Sequence, residues 1–172
     1  FRLSTPRKLK EQHQRRTTRS QPKLSIKPHA FVAMPFGTKA DQDGKPVDFN
    51  RVYEELIKPA LESAGLFAFR ADEEMRAGDI RVDMFQELLI ADLVVADLSV
   101  NNPNVWYELG VRHGLRARGV VLISGGTVPT AFDLYTDRKL RYGLKDGGPD
   151  PTSIDEDRTR LTGMVKEIGG PS

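Results

Sequence analysis

Side chains able to act on a sugar or a nucleotide are concentrated between residues 90 and 115, in IADLVVADLSVNNPNVWYELGVRHGL. Carboxylates can stabilise or attack the positive charge that develops when an N-glycosidic bond breaks. Asparagine amides can hydrogen-bond ribose hydroxyls, and an aromatic face can pack against a base. The candidate residues of this stretch are Asp97, Asn101, Asn102, Asn104, Trp106 and Glu108.

The same residues also have structural interpretations. Asp97 and the asparagines can cap a strand end and a helix start. Trp106 can belong to the core, and Glu108 can bind backbone near Asn104 or an arginine. The residue types alone therefore leave both catalysis and a purely structural role open.

A second set of candidates follows the first two predicted strands. Phe36 and Gly37 come after the first strand, where Gly37 permits a tight turn and a close approach of ligand to backbone. Arg70 and Asp72 lie in the charged segment RADEE after the second. Arg70 and Arg112 would suit a phosphorylated ligand. Alternatively, they pair with nearby acids, which for Arg112 include Glu108.

Apolar runs and helical periodicity alternate along the chain, which predicts an α/β protein with a mainly parallel sheet. We expect five strands in the flavodoxin-like order 2-1-3-4-5, flanked by helices, and a kink at Pro59. This order places the Phe36–Gly37 loop opposite residues 97–104 across one crevice. Residues 38–47 are predicted to form a long polar loop and residues 145–151 a turn-rich connection. The strands are expected near residues 30–34, 66–69, 93–96, 120–123 and 140–142.

Charge divides the chain at about residue 29. Residues 1–29 contain nine Lys or Arg and one acid, and they contain few large apolar side chains. We therefore predict a basic disordered arm or linker over 1–29 and one α/β domain over 30–168. Nucleic acid is a candidate partner only through this arm. The linker interpretation is favoured, because no aromatic residue interleaves the charges of the arm to stack on bases.

The composition excludes several classes of site and protein. The chain has no cysteine, so it forms no disulfide or thiolate metal site, and its three histidines show no metal-ligand spacing. No apolar run is long enough to span a membrane, and no signal peptide is visible. We expect a cytoplasmic protein that binds no metal and makes no membrane contact. Because the first residue is not Met, we also expect a piece of a longer chain with other domains.

Several segments together resemble a known superfamily. FVAMPFG, a helix ending ALESAG, the block ADLVVADLSVNNPNVWYELGVRHGL and VVLIS resemble the nucleoside 2-deoxyribosyltransferase-like superfamily, whose relatives include TIR-like domains. MPFG, FNRVYEELIKPALESAG, RADEE and NPNVWYELGVRHGLR resemble more closely a bacterial TRAF-binding-like family. That family is named for its similarity to the central region of apoptosis-signal-regulating kinases. The resemblance covers about residues 30–165.

The resemblance implies a flavodoxin-like (Rossmann-like) fold and a nucleotide crevice in a bacterial signalling or antiphage defence protein. Glu108 matches the family's catalytic glutamate, and Asp97 matches the aspartate after the third strand. Three asparagines stand where the transferases carry an acid. The implied function is cleavage or transfer at an N-glycosidic bond of a nucleotide such as NAD, which is a substrate or ligand and not a cofactor. The alternative is a non-catalytic module that senses a nucleotide or binds a protein. TIR-like relatives commonly assemble, so a homo-oligomer stays open.

Overall fold

A five-stranded parallel sheet forms the centre of this computed structural model, which describes residues 28–70, 84–116, 118–126 and 139–169. In chain order the elements are β1 (His29–Ala33), β2 (Thr38–Ala40), β3 (Pro46–Asp48), α1 (in three segments, Phe49–Val52, Tyr53–Ile57 and Lys58–Ser63), β4 (Phe67–Phe69), α2 (Met84–Ile90), β5 (Leu93–Asp97), α3 (Pro103–Leu115), β6 (Val120–Gly125), β7 (Lys139–Tyr142), β8 (Leu144–Lys145), β9 (Gly148–Pro149) and α4 (Ile154–Gly169).

The central sheet has the order β4-β1-β5-β6-β7, and all of its neighbouring strands are parallel. Counting only these five strands along the chain, the order is 2-1-3-4-5. The predicted flavodoxin-like α/β fold is therefore confirmed. The structure begins the first strand at His29, one residue before the predicted start.

Both faces of the sheet are covered by helices, as the continuous apolar strands predict. All five residues of β5 are buried. On one face, side chains such as Val32 and Val95 pack with α1 and α4. On the other, Phe31 and Ala96 pack with α2 and α3. We call these the α1/α4 face and the α2/α3 face.

Helix α1 is irregular directly before Pro59, the residue at which the sequence predicts a kink. Tyr53–Ile57 forms a π-helical turn directly before Lys58 and Pro59. Because Pro59 has no N–H, it cannot donate to the carbonyl of Glu55 four residues earlier. That carbonyl instead accepts a hydrogen bond of 2.7 Å from Arg158 Nε on α4. The carbonyl that the proline leaves without a helical donor thus joins α1 to α4.

Two small ribbons replace segments that the sequence predicts as loops. β2 and β3 pair antiparallel within the predicted loop 38–47, so that prediction is wrong. β8 and β9 pair antiparallel within the predicted turn-rich connection. Asp146 and Gly147 between them have φ of 50° and 76°, the conformation that tight hairpins require. The two ribbons meet where Asp48 N donates to Gly147 O at 2.7 Å.

Two expectations fall partly outside the described ranges. Residues 1–27 of the predicted basic arm lie outside them, as do residues 71–83, where the second predicted helix starts. Over the described part of the chain, no helix combines the length and hydropathy needed to cross a membrane.

Candidate functional site

The carboxyl edge of the sheet brings three of the predicted segments next to one another. β1 lies between β4 and β5, so the segments that follow these strands leave the sheet side by side. They carry Phe36 and Gly37, Arg70, and residues 101–104, respectively. Ligands of open parallel sheets bind beyond this edge. The predicted adjacency of the first and third strands is confirmed.

Glu108 lies in the second turn of α3, between the buried side chains of Val105 and Leu109. Its own side chain is half-buried. No described residue gives its carboxyl group a hydrogen bond or an ion pair. Burial raises the pKa of Glu108 from 4.5 to about 7. A carboxyl group with a raised pKa and no partner is typical of a functional site.

Asp97 is completely buried at the end of β5. One carboxylate oxygen accepts from the backbone N–H of Ser99 at 2.9 Å and from its hydroxyl. The other accepts from Tyr142 Oη at 2.8 Å. Burial raises the pKa values of both Asp97 and Tyr142. Gly125 N also donates to Ser99 Oγ, at 2.7 Å. The network therefore links the ends of β5, β6 and β7, and the catalytic role predicted for Asp97 stays a prediction.

The asparagine loop is ordered by its own side chains. Asn102 Oδ1 accepts from Asn104 N at 2.9 Å and from Val105 N at 3.4 Å, which makes Asn102 the N-cap of α3. Asn101 Oδ1 accepts from Trp106 Nε1 at 3.1 Å, and the Trp106 ring packs on the α2/α3 core. The structural interpretation thus accounts for the side-chain oxygens of Asn101 and Asn102. It names no described partner for their side-chain N–H groups. Their predicted sugar contacts stay predictions.

Phe36, Gly37 and Arg70 are brought together at the ends of β1 and β4. The Arg70 guanidinium is 5.4 Å from the Phe36 ring centroid and 4.5 Å from that of Tyr53. Arg70 also donates to Asn50 Oδ1 at 3.1 Å, which accepts from Gly37 N at 3.4 Å. Arg70 is 2% exposed, whereas Phe36 is 43% exposed. Arg70 therefore orders this loop, and Phe36 is the side chain that remains exposed to solvent.

Arg112 lies at the other end of the sheet and does not pair with Glu108. It is fully buried and donates to four backbone carbonyls, those of Leu88, Ala91, Arg118 and Gly119, at 2.7, 3.0, 3.4 and 3.4 Å. Burial lowers the pKa of Arg112 to about 10. The described hydrogen bonds of Arg112 thus go to backbone carbonyls and not to Glu108, and its predicted phosphate contact stays a prediction.

One predicted site residue lies outside the described ranges, and some residues of the site were not predicted. Asp72 lies outside the described residues. Within those residues, no group of three or more His, Cys, Asp or Glu side chains is placed to hold a metal ion. Tyr142 and Asn50 were missed because their partners are distant in sequence, whereas Ser99 was missed although it bonds to Asp97 two residues away. For Tyr142, the signal in the sequence was a tyrosine at the end of a predicted strand.

Comparison with known proteins identifies no family for this chain. No family model and no curated protein matches this chain. Among solved structures, the chain is similar to a response regulator receiver protein from Sinorhizobium medicae WSM419. The two share 14% identity with a TM-score of 0.40, over 81% of this chain and 98% of that one. At this level the likeness carries no functional argument, and the fold assignment rests on the strand order.

Proposed function

We propose that this domain binds a nucleotide such as NAD at the carboxyl edge of its sheet and cleaves or transfers the N-glycosidic bond. The observation that carries the proposal is Glu108. A half-buried carboxyl group whose pKa is about 7, and which lacks a described partner, is costly for folding. A cationic ribosyl centre would supply the missing partner in the transition state.

In the proposed reaction, the bond between the sugar C1′ atom and the base nitrogen breaks and the base leaves with the electron pair. The Glu108 carboxylate stabilises or attacks the resulting C1′ cation. Water or another acceptor then takes the sugar. Amides of the 101–104 loop bind ribose hydroxyls, and the exposed Phe36 ring packs against a base. Asp97 holds the start of this loop through its hydrogen bonds from Ser99.

The test is to incubate the protein with NAD, and separately with other nucleotides and deoxynucleosides, and to measure the released base by chromatography. Glu108→Gln is expected to lower the rate about a hundredfold or more. Because the carboxylate form is the active one, kcat/KM should rise with pH below about 7 and level off above it.

Glu62→Gln is the matched control, because Glu62 is exposed and lies on α1 near the opposite edge of the sheet. It should leave the rate unchanged. If none of the compounds releases base, the enzymatic proposal fails. If Glu108→Gln releases base at the wild-type rate, the assignment of the site is wrong.

A second candidate is a nucleotide-sensing or protein-binding module without chemistry. The asparagine loop favours it, because the segment LSVNNPN contains no acid and an amide cannot shuttle a proton. Thermal stabilisation by a nucleotide without any release of base would support this alternative.

The cellular setting is part of the proposal. By its resemblance, the domain is one module of a bacterial signalling or antiphage defence protein in the cytoplasm, with other domains in the same chain. A homo-oligomer and a nucleic-acid contact through residues 1–29 remain proposals of the same kind. Removal of residues 1–27, which keeps the β1 residue His29, should abolish any salt-sensitive nucleic-acid binding.

A further inference from the structure

The α2/α3 face of strand β7 carries two positive charges that have no acidic partner among the described residues. Leu140 and Tyr142 point into the α1/α4 core, so Lys139 and Arg141 point to the opposite face. Residues two apart on a strand are about 6.6 Å apart. Both side chains are exposed at this edge of the sheet.

The electrostatic surroundings of Lys139 are unfavourable. Partial burial and the charge of Arg141 both lower the pKa of Lys139, and no acid of the described residues raises it. No acidic side chain of the described ranges forms an ion pair with either residue. The nearby Arg160 is different, because Asp157 lies 3.4 Å from it. Like charges this close destabilise a strand unless an anion lies between them.

A third group lies on the same face of the neighbouring strand. Ser124 of β6 is directly paired with Arg141 of β7, and adjacent strands are about 4.8 Å apart. Ser124 Oγ is completely buried and has no hydrogen-bond partner among the described residues. A buried hydroxyl without a partner is rare in folded proteins, because its desolvation is not compensated.

We propose that Lys139, Arg141 and Ser124 form a binding site for a phosphoryl group of a small molecule. Two cations and a hydroxyl donor match the charge and the acceptor oxygens of phosphate. Bound phosphate would neutralise the like charges and give the Ser124 hydroxyl an acceptor. The site does not depend on Glu108, so it could serve an enzyme or a sensor.

The test measures binding of inorganic phosphate, AMP and adenosine by calorimetry and by thermal shift, at an ionic strength held constant with chloride. Phosphate and AMP are expected to bind, and adenosine to bind at least tenfold more weakly than AMP. Arg141→Gln should weaken phosphate and AMP about tenfold or more, and Ser124→Ala by a smaller factor. AMP binding much tighter than phosphate would identify a nucleotide as the source of the group, and equal binding would identify free phosphate.

Lys166→Gln is the control, because Lys166 is an exposed cation on α4, on the other face. Arg141→Gln should fold normally, since it removes like-charge repulsion and breaks no described ion pair. Its melting temperature without ligand should equal or exceed that of the wild type. The proposal is overturned if phosphate and AMP do not bind, if Arg141→Gln binds them as tightly as wild type does, or if Lys166→Gln weakens them equally.

Discussion

Glu108 and Arg112 lie one turn apart on α3, in the spacing at which acid and base usually pair on a helix. The structure gives them opposite surroundings. The guanidinium of Arg112 is fully buried and holds four carbonyls, whereas the carboxyl of Glu108 is half-buried and has no described partner. Burial moves the pKa of each toward neutrality, to about 7 for Glu108 and about 10 for Arg112.

The difference separates a charge with a structural role from one to which no described contact gives such a role. Arg112 joins the end of α2, the start of β5 and the start of β6, all at the amino edge of the sheet. Gly119 lies close to this site, since a Cβ there would be 2.8 Å from Asp92 O and 3.0 Å from Arg112 Nη2. Glu108 lies toward the carboxyl edge, and no described contact compensates for the desolvation of its carboxyl group. Selection for function accounts for such a cost better than selection for stability does.

The largest expected effect comes from removing the structural charge. Arg112→Met keeps much of the side-chain volume but leaves buried carbonyls without donors, which should lower the free energy of unfolding by about 3 kcal/mol or more. Urea denaturation followed by circular dichroism measures it. Because Arg118 is exposed, Arg118→Met should change stability by no more than about 0.5 kcal/mol. Equal effects in the two variants would show that the carbonyl contacts do not matter.

These two residues also show which parts of the structure are readable from sequence. The strands, their order and the helix starts follow from apolar periodicity and from local capping residues such as Asp48 and Asn102. The role of Arg112 does not, because its partners lie up to 24 residues away and are backbone atoms that any sequence supplies.

The same limit applies to the site. The position of Glu108 near the edge follows from the strand–loop–helix pattern, but its freedom from Arg112 depends on the tertiary structure. The bond between Asp97 and Tyr142 spans 45 residues and has no local signal. The β2–β3 ribbon was missed because the strands are short and one of them is exposed along its length.

The second prediction concerns the cost of the unpaired carboxyl. Since the pKa of Glu108 is 4.5 in the unfolded chain and about 7 in the folded one, the folded state holds the proton more tightly. Its contribution to stability is present below pH 4.5 and is lost as the pH rises through 7. Glu108→Gln should therefore be more stable than wild type at pH 8 by about 1 to 2 kcal/mol, allowing for solvent screening.

The gain should shrink toward zero near pH 4.5, and urea denaturation across the pH range measures it. Glu62→Gln, which changes an exposed glutamate, should show no pH-dependent gain. A Glu108→Gln protein that is less stable than wild type at pH 8 would mean that the carboxylate has a stabilising partner. Glu108 would then be a structural charge like Arg112, and the contrast between them would disappear.

The smallest effect concerns the cap that sets where α3 begins, and so where both charges lie. Asn102→Ala removes the acceptor of two backbone N–H groups, which should lower the free energy of unfolding by about 1 kcal/mol. Asn102→Asp keeps an acceptor, adds favourable charge at the helix start and should retain the stability. Hydrogen exchange should show faster exchange in the first turn of α3 in Asn102→Ala, while the amides around Arg112 stay protected. Equally faster exchange at both ends would mean that α3 opens as one unit. The position of Glu108 would then not be independent of the position of Arg112.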